Sequence, residues 1–446
     1  MDLTIQLFHG NEWHDAAVVS VKNPSAGYLG ESAVAYNMEY FVKFGAIPIA
    51  EDRPLRDARA LSIAVPVDLM DRTAPRWPSF LLDFLPQGYQ RERVANYLNL
   101  DHKIRAADLP LLMHAGGAPV GNIRIKEANI RENERISTTA RIGVTLDDIL
   151  NRTDLFRDVA DKFAMFASGS SGLQGNWPKV AMTRARDGLW YPDSAVGDDD
   201  AQEYVIVKFM RSGNRMDEII LRAEASYSRI AAEFGLNVKA PSTYKSGVLI
   251  IPRFDREARN GKVVRYGQES FVSALGIADF EHRDSHENYL RMLRDFSTDP
   301  LADVTEYVLR DVLNLAMGNP DNHGRNTALR KTEDGQIRLA PLFDFAPMKL
   351  SPAVIMRSTK WECMKAEGRD YNPDWREVCK AAAGDNLQAD HIMAALAEKE
   401  EFIQSLPTIA KKHGTPDEVI SQAMVAHTQI ADSIAVMANT PKHGVA

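Results

Sequence analysis

A chain of 446 residues, 45% of them apolar and 26% charged, is long enough for two or three domains that each bury a core. A formal net charge of −8 argues against wrapping of nucleic acid by the whole surface. The two cysteines, Cys363 and Cys379, exclude a disulfide framework and lack metal-ligand spacing. No run approaches the roughly 20 apolar residues of a membrane span, and Met1-Asp-Leu-Thr-Ile-Gln lacks the layout of a secretory leader, so a cytoplasmic location is expected.

In chain order, Thr4 to Phe8 and Val18 to Val21 carry strand signals, and Ala60 to Val65 reads as a strand ended by Pro66. Phe80 to Leu85 reads as a helix end and turn, and Arg91 to Leu98 restarts a helical pattern. A small α+β domain fits. Arg131, Glu132, Glu134 and Arg135 crowd the polar stretch Asn129 to Thr139, which predicts a linker. The expected divisions are residues 1–135, an N-terminal subdomain, 136–262, a nucleotide-binding lobe, and 263–446, a mainly helical catalytic lobe.

After a helical stretch, the loop Ala167 to Lys179 holds three glycines and three serines and leads into strand-like Val180 to Met182. Glycine lets backbone N–H groups approach phosphate oxygens, although a plain flexible turn has the same composition. Lys179 at the loop's end favours phosphate. The following strand, Glu203 to Phe209, carries Lys208 inside an apolar run. Such a lysine either faces water from an edge strand or meets an anion. The helix Glu218 to Glu233, apolar along Ile219, Ala223, Tyr227 and Ile230, offers Glu224 as its partner. A strand lysine paired with a helix glutamate and reaching the α and β phosphates is a kinase arrangement. Leu249 to Arg256 then reads as a last strand whose backbone could receive an adenine edge.

From about residue 268 the pattern turns helical. Val304, Tyr307, Val308, Val312 and Leu315 share one face of a helix over Asp303 to Met317 that stops at Gly318, before Pro320. Asn319 to Leu329 therefore lies on a loop held by a packed helix. On it, Asp321 precedes Asn326 by five residues, and the strand-like Ile337 to Phe343 delivers Asp344. That is the order in which a magnesium-dependent phosphoryl-transfer site uses its base, its metal-holding amide and its metal-bridging acid. A metal-dependent hydrolase or nuclease using Asp321, His323 and Asp344 as ligands is the alternative. Ala389 to Leu406 and Pro416 to Met437 read as amphipathic scaffold helices, and the scattered tryptophans as packing residues.

Nine phrases occur in order: Ala60-Leu-Ser-Ile-Ala-Val-Pro66, Phe80-Leu-Leu-Asp-Phe-Leu-Pro86, Leu111-Leu-Met-His-Ala-Gly-Gly-Ala-Pro-Val-Gly121, Ser171-Gly-Leu-Gln174, Val207-Lys-Phe209, Phe234-Gly-Leu-Asn-Val238, Arg253-Phe-Asp-Arg256, Asp321-Asn-His-Gly-Arg-Asn326 and Phe343-Asp344. Together they resemble the HipA family of serine/threonine kinases, toxins of bacterial toxin–antitoxin pairs. The resemblance implies an α+β, two-lobed, protein-kinase-like fold with an extra N-terminal subdomain and a mainly helical C-terminal lobe.

It further implies Asp321 as catalytic base, Asn326 and Asp344 as Mg2+ ligands, and His323 beside them in the same loop. ATP would be held by Ser170, Ser171, Gly172, Leu173, Gln174, Lys179, Lys208, Arg253, Phe254, Phe343 and Asp344. The family's loop runs from its glutamine almost directly into the lysine, whereas Gly175-Asn-Trp-Pro178 intervenes here. The family also implies autophosphorylation of a loop serine, Ser170 first, then Ser168 or Ser171. A phosphoserine adds roughly −1.5 to −2 charges and would repel nucleotide. Translation factors, aminoacyl-tRNA synthetases among them, are the implied substrates. A small helix-turn-helix antitoxin resembling HipB is the implied partner, with DNA reached only through it, and a role mainly as co-repressor is the third possibility.

Overall fold

The computed structural model describes residues 1–45, 57–162, 177–385 and 387–439. The chain divides into two compact units: Met1–Arg211, Thr243–His282 and Ala328–Ile337 make unit 1, and Ser212–Ser242, Arg283–Thr327 and Arg338–Ala446 make unit 2.

In unit 1, β1 (Asp2–His9) and β2 (Glu12–Val21) pair antiparallel through Gly10-Asn11, both at positive φ. Two left-handed residues in a two-residue loop match the right-handed twist of the strands they join. The hairpin is extended by β3 (Ser32–Tyr36), β4 (Arg72–Ala74) and β5 (Ile123–Ile125) into a sheet ordered β4-β3-β2-β1-β5. Leu3, Ile5 and Leu7 pack with Phe80, Leu81, Leu112 and Trp77 in one core. The expected strand Ala60 to Val65 is instead a turn closed by an isolated bridge between Ser62 and Val65. Ala60, Leu61 and Ile63 are buried and the turn is anchored through its backbone: the Lys331 Nζ donates to the carbonyls of Ala60 and Leu61, and Glu269 accepts the Ile63 N–H.

The expected linker over Asn129 to Thr139 is also corrected, because Lys126–Ser137 is a helix. Its charges sit at helical spacing: Arg135 pairs with Glu132 three residues earlier, at 2.8 Å, and Ala128 is buried. With neither Gly nor Pro in the stretch, polarity alone did not stop the helix.

The second sheet of unit 1 contains β6 (Lys179–Ala185), β7 (Trp190–Pro192), β8 (Ala201–Phe209), β9 (Thr243–Lys245) and β10 (Val248–Pro252), in the antiparallel order β7-β6-β8-β10-β9. Val205, Val207 and Phe209 point from β8 into a core with Val180, Met182 and Val248. A hairpin of β11 (Arg256–Arg259) and β12 (Lys262–Arg265) follows, then β13 (Gly267–Ser270), which pairs with β14 (Ala328–Lys331).

Unit 2 is mainly helical. The 20-residue helix Arg215–Phe234 is capped by Asn214 and ends on Gly235 in the left-handed conformation. The helix Pro300–Met317 starts at the Asp299 cap and ends on Gly318 at φ 70°. Tyr227 from the first helix donates its hydroxyl to the Met317 carbonyl of the second at 2.6 Å. The expected helix Ala389 to Leu406 is broken into Ala389–Ala397, Glu400–Gln404 and Leu406–Lys412, and the stretch after Pro416 into Asp417–Gln422 and His427–Asn439. Ser405 and Pro407 favour new helix starts, so one amphipathic period is cut into short turns. Among the described residues no helix is long and apolar enough to cross a membrane.

Candidate active site

The loop after Gly318 is built by its own polar side chains. Asn319 donates its side-chain amide to Asn314 Oδ1 at 2.9 Å, and its Oδ1 accepts the N–H of Asp321 at 3.3 Å. Asn322 donates to the Thr359 carbonyl at 2.8 Å and accepts the N–H groups of Ser358 and Thr359, each at 3.2 Å. Asn326 closes the loop by donating Nδ2 to the Asp321 carbonyl at 3.0 Å. With the nitrogen so engaged, Asn326 Oδ1 is the atom left to meet a cation. Asp344 sits at φ 52°, a left-handed position that asparagine and aspartate tolerate better than most residues.

Asp321, Asn322, Asn326, Phe343 and Asp344 line one cavity of unit 2. Here the two expected metal ligands and the expected base are brought together. His323 Nε2 lies 3.4 Å from Asp321 Oδ1, beyond a good hydrogen bond, on a side chain 41% exposed. Asp344 and Asn326 supply hard oxygen donors, the type that suits Mg2+, which keeps most of its ligands from water and phosphate. No group of three or more His, Cys, Asp or Glu side chains among the described residues is arranged to hold a metal. The trio Asp321, His323 and Asp344 is therefore not such a cluster.

The cavity is also lined by His286, Tyr307 and Asp311, none of which the sequence reading singled out. Arg357 donates to Asp311 at 2.9 Å and to His286 Nε2 at 3.1 Å, Trp361 donates its indole N–H to Asp311 at 2.9 Å, and His286 Nδ1 meets the Tyr307 hydroxyl at 2.9 Å. Because the guanidinium can only donate, Nε2 is the accepting nitrogen and Nδ1 carries the proton. Burial pushes the His286 imidazole down to about 4, so it stays neutral. Burial alone would raise the Asp311 carboxyl, but the Arg357 charge and the bonds it receives hold it below the ordinary carboxylate range. One signal was legible. An acid at position 311 falls on the apolar face that carries Tyr307, Val308, Val312 and Leu315, where a carboxylate requires a partner.

In unit 1, Lys208 is 4% exposed on a strand with neighbours on both sides, so the edge-strand reading is excluded. Its register partner on β6 is Lys179. Directly opposed residues of an antiparallel pair have Cβ atoms about 4.5–5.5 Å apart, and like charges there are unfavourable. The Trp177 ring lies 5.5 Å from Lys208 Nζ and 5.2 Å from the Arg211 guanidinium. Two cations thus lie over one buried indole. The residues Gly175 to Pro178 that separate loop from lysine end with Trp177 packed here and the Pro178 carbonyl accepting the Phe209 N–H at 2.8 Å. Ser168, Ser170, Ser171, Gly172, Leu173 and Gln174 lie outside the described residues.

Arg253 is held between two buried acids, Asp193 at 3.1 Å and Asp255 at 2.7 Å. Burial alone would raise the Asp255 carboxyl, but the Arg253 and Arg256 charges and the Gly121 N–H lower it strongly. Phe254, half-buried, lies beside this network just after β10.

The sequence model of the HipA-like C-terminal domain family matches residues 171–403. A curated protein of Sinorhizobium fredii (strain NBRC 101917 / NGR234), named "Putative kinase Y4mE", is 34% identical over 227 residues, 48% of this chain and 51% of that protein. The chain thus spans about half the length of this relative. Among solved structures, HipA of the Shewanella oneidensis MR-1 toxin–antitoxin system, in complex with HipB and operator DNA, matches with a TM-score of 0.65 over 97% of both chains at 15% identity. The likeness is one of fold: an α+β, two-lobed HipA architecture.

Proposed function

The chain belongs to the HipA-like family, and on that premise we propose that it is an ATP- and Mg2+-dependent protein serine/threonine kinase acting as the toxin of a toxin–antitoxin pair. The observation that carries this reading is the convergence of Asp321, Asn326 and Asp344 on one cavity, with the Asn326 amide tied to the Asp321 backbone. Asp321 accepts the proton of the attacking serine or threonine hydroxyl. Asn326 Oδ1 and the Asp344 carboxylate would hold Mg2+, which would supply charge neutralisation at the ATP phosphates. Lys208, with Lys179 opposite it on the neighbouring strand, grips the nucleotide phosphates.

Phosphoryl transfer asks little covalent chemistry of the protein, so these groups act by position and charge. His323 orients beside the base. Ser170, Ser171, Gly172, Leu173 and Gln174 cradle the phosphates, and the strand exit at Arg253 and Phe254, with Phe343, borders the nucleotide. Ser170 is the leading autophosphorylation site, ahead of Ser168 and Ser171. The substrate is a cytoplasmic protein of the translation machinery, and a small helix-turn-helix antitoxin restrains the kinase and carries it to DNA. The complex of the Shewanella protein with HipB and operator DNA supports that partner. The match to the HipA-like C-terminal domain family and the relative named a putative kinase favour this reading over the hydrolase alternative.

Incubation of a host lysate with radiolabelled ATP and either wild type or Asp321→Asn tests the assignment. Phosphoproteins that depend on Asp321, the enzyme itself among them, are expected. Their complete absence would overturn the kinase reading.

A further inference from the structure

The loop that carries Asp321 is held from inside and from outside. Asn319 and Asn326 bond to the Asp321 backbone from within the loop. Asn322, the next residue in the chain, is held from outside: it accepts the N–H groups of Ser358 and Thr359 at 3.2 Å each and donates to the Thr359 carbonyl at 2.8 Å. A side-chain amide has two donor and two acceptor positions. Three of the four are therefore committed to residues 358 and 359, and Asn322 turns only if they turn with it.

Residues 358 and 359 are in turn fixed by Asp311, on the helix Pro300–Met317. Arg357 and Trp361, on either side of them, both donate to its carboxylate at 2.9 Å. Arg357 uses only Nη2, for Asp311 and His286, while its Nε and Nη1 bond to no described residue. The other ties of this segment lie past the clasp: the His286 N–H donates to the Lys360 carbonyl at 3.1 Å, and Glu287 accepts the N–H groups of Glu362 and Cys363 at 2.9 Å each. Asp311 and Arg357 are both buried. A buried ion pair is often no more stabilising than apolar side chains of the same volume, so stability alone does not account for this one.

Resting on the kinase reading, we propose that Asp311 is a positioning residue for phosphoryl transfer: through Arg357 and Trp361 it fixes Ser358 and Thr359, which fix Asn322 and with it the direction of the Asp321 carboxylate. Asp311 touches neither nucleotide nor acceptor in this role. A base displaced by about 1 Å can lose about a hundredfold in rate, so a rigid path from a packed helix to the neighbour of Asp321 acts on the rate of transfer and not on the binding of ATP.

The test uses the full-length protein, a serine-centred peptide library as acceptor and radiolabelled ATP over a range of concentrations. Asp311→Asn keeps the shape and removes the charge, and is expected to lower the apparent kcat about ten- to a hundredfold with the KM for ATP unchanged. Asn322→Ala is expected to do the same. The two combined are expected to be no slower than the slower single variant, because both break one path of contacts. Asp311→Leu/Arg357→Met removes both charges, so its thermal unfolding midpoint is expected to return toward that of wild type while kcat stays low; it also takes the place of Asp311→Asn in the cycle if that variant does not fold. Losses in kcat that multiply between positions 311 and 322, or a kcat that recovers together with stability in Asp311→Leu/Arg357→Met, overturn the positioning role and leave the kinase reading in place. No incorporation by wild type into library, lysate or itself would remove both.

Discussion

Asn326 donates its side-chain amide to the main-chain carbonyl of Asp321 at 3.0 Å. One side chain therefore both closes the loop and, through its remaining oxygen, faces the cavity that Asp344 lines. Asn326→Asp keeps the size and replaces the donor by a second acceptor opposite a carbonyl. The loop should loosen and the Mg2+ requirement should shift to higher concentration, whereas Asp321→Asn should lower kcat by about a hundred- to ten-thousandfold. Steady-state phosphorylation across a Mg2+ titration separates the two. Equal Mg2+ dependence in wild type and Asn326→Asp would remove Asn326 from the metal site.

Lys208→Met retains the apolar stem of a residue that is 4% exposed and removes only its charge. Charge-assisted hydrogen bonds are worth about 1.5–3 kcal/mol, so the KM for ATP should rise roughly ten- to a hundredfold. A variant with wild-type ATP affinity would show that the lysine pair serves something other than nucleotide.

Gly318 ends the helix Pro300–Met317 at φ 70°, and a Cβ there would meet the Ala423 carbonyl oxygen at 2.5 Å. Gly318→Ala should cost more than about 1 kcal/mol in urea unfolding and should depress kcat, since Asn319 and Asp321 follow directly. An alanine variant as stable and active as wild type would mean that the helix end can shift without moving the loop.

His286 titrates near 6.5 in the unfolded chain and at about 4 when buried. Between these values the unfolded state binds the additional proton, so the stabilising contribution is complete above about 6.5 and lost as pH falls toward 4. The loss is on the order of 3 kcal/mol across that window. His286→Gln should flatten the stability profile between pH 6.5 and 4, measured by chemical denaturation at a series of pH values. An unchanged slope would assign the acid sensitivity to other groups, such as His9, whose imidazole burial lowers to about 3.

Lys331 and Glu269 form a buried pair at 3.2 Å that also holds the turn at Ala60 to Ile63. Lys331→Met strands the carboxylate and should cost about 3–5 kcal/mol. Adding Glu269→Gln should restore part of the loss. If the double variant is as unstable as the single, the lysine matters through its bonds to the Ala60 and Leu61 carbonyls rather than through charge.

Composition and period made the strands β1, β2, β8 and β10 and the helices Arg215–Phe234 and Pro300–Met317 legible, because each is a continuous local pattern. Asp321 and Asn326 were legible for the same reason: their spacing fits within one loop, and Gly318 and Pro320 punctuate it. The turn at Ala60 to Val65 misled because its backbone at Ala60, Leu61 and Ile63 is held by Glu269 and Lys331, partners more than 200 residues away that no local period reveals. The helix Lys126–Ser137 misled because a charged stretch is equally compatible with solvated helix and with linker.

By itself, the sequence determined which residue types are available for phosphoryl transfer and in what order they occur, since those depend on short-range spacing. Only tertiary structure decided that Lys208 is central and buried beside Lys179, because an edge strand becomes a central one through the strands that pair with it. Only tertiary structure brought Arg357 to Asp311 across 46 residues and to His286 across 71 residues. It also left Val354 and Met356 exposed between two anchors on the Asp321 loop. Burial and exposure are properties of the assembled chain, set by which distant surfaces meet, and no single segment encodes them.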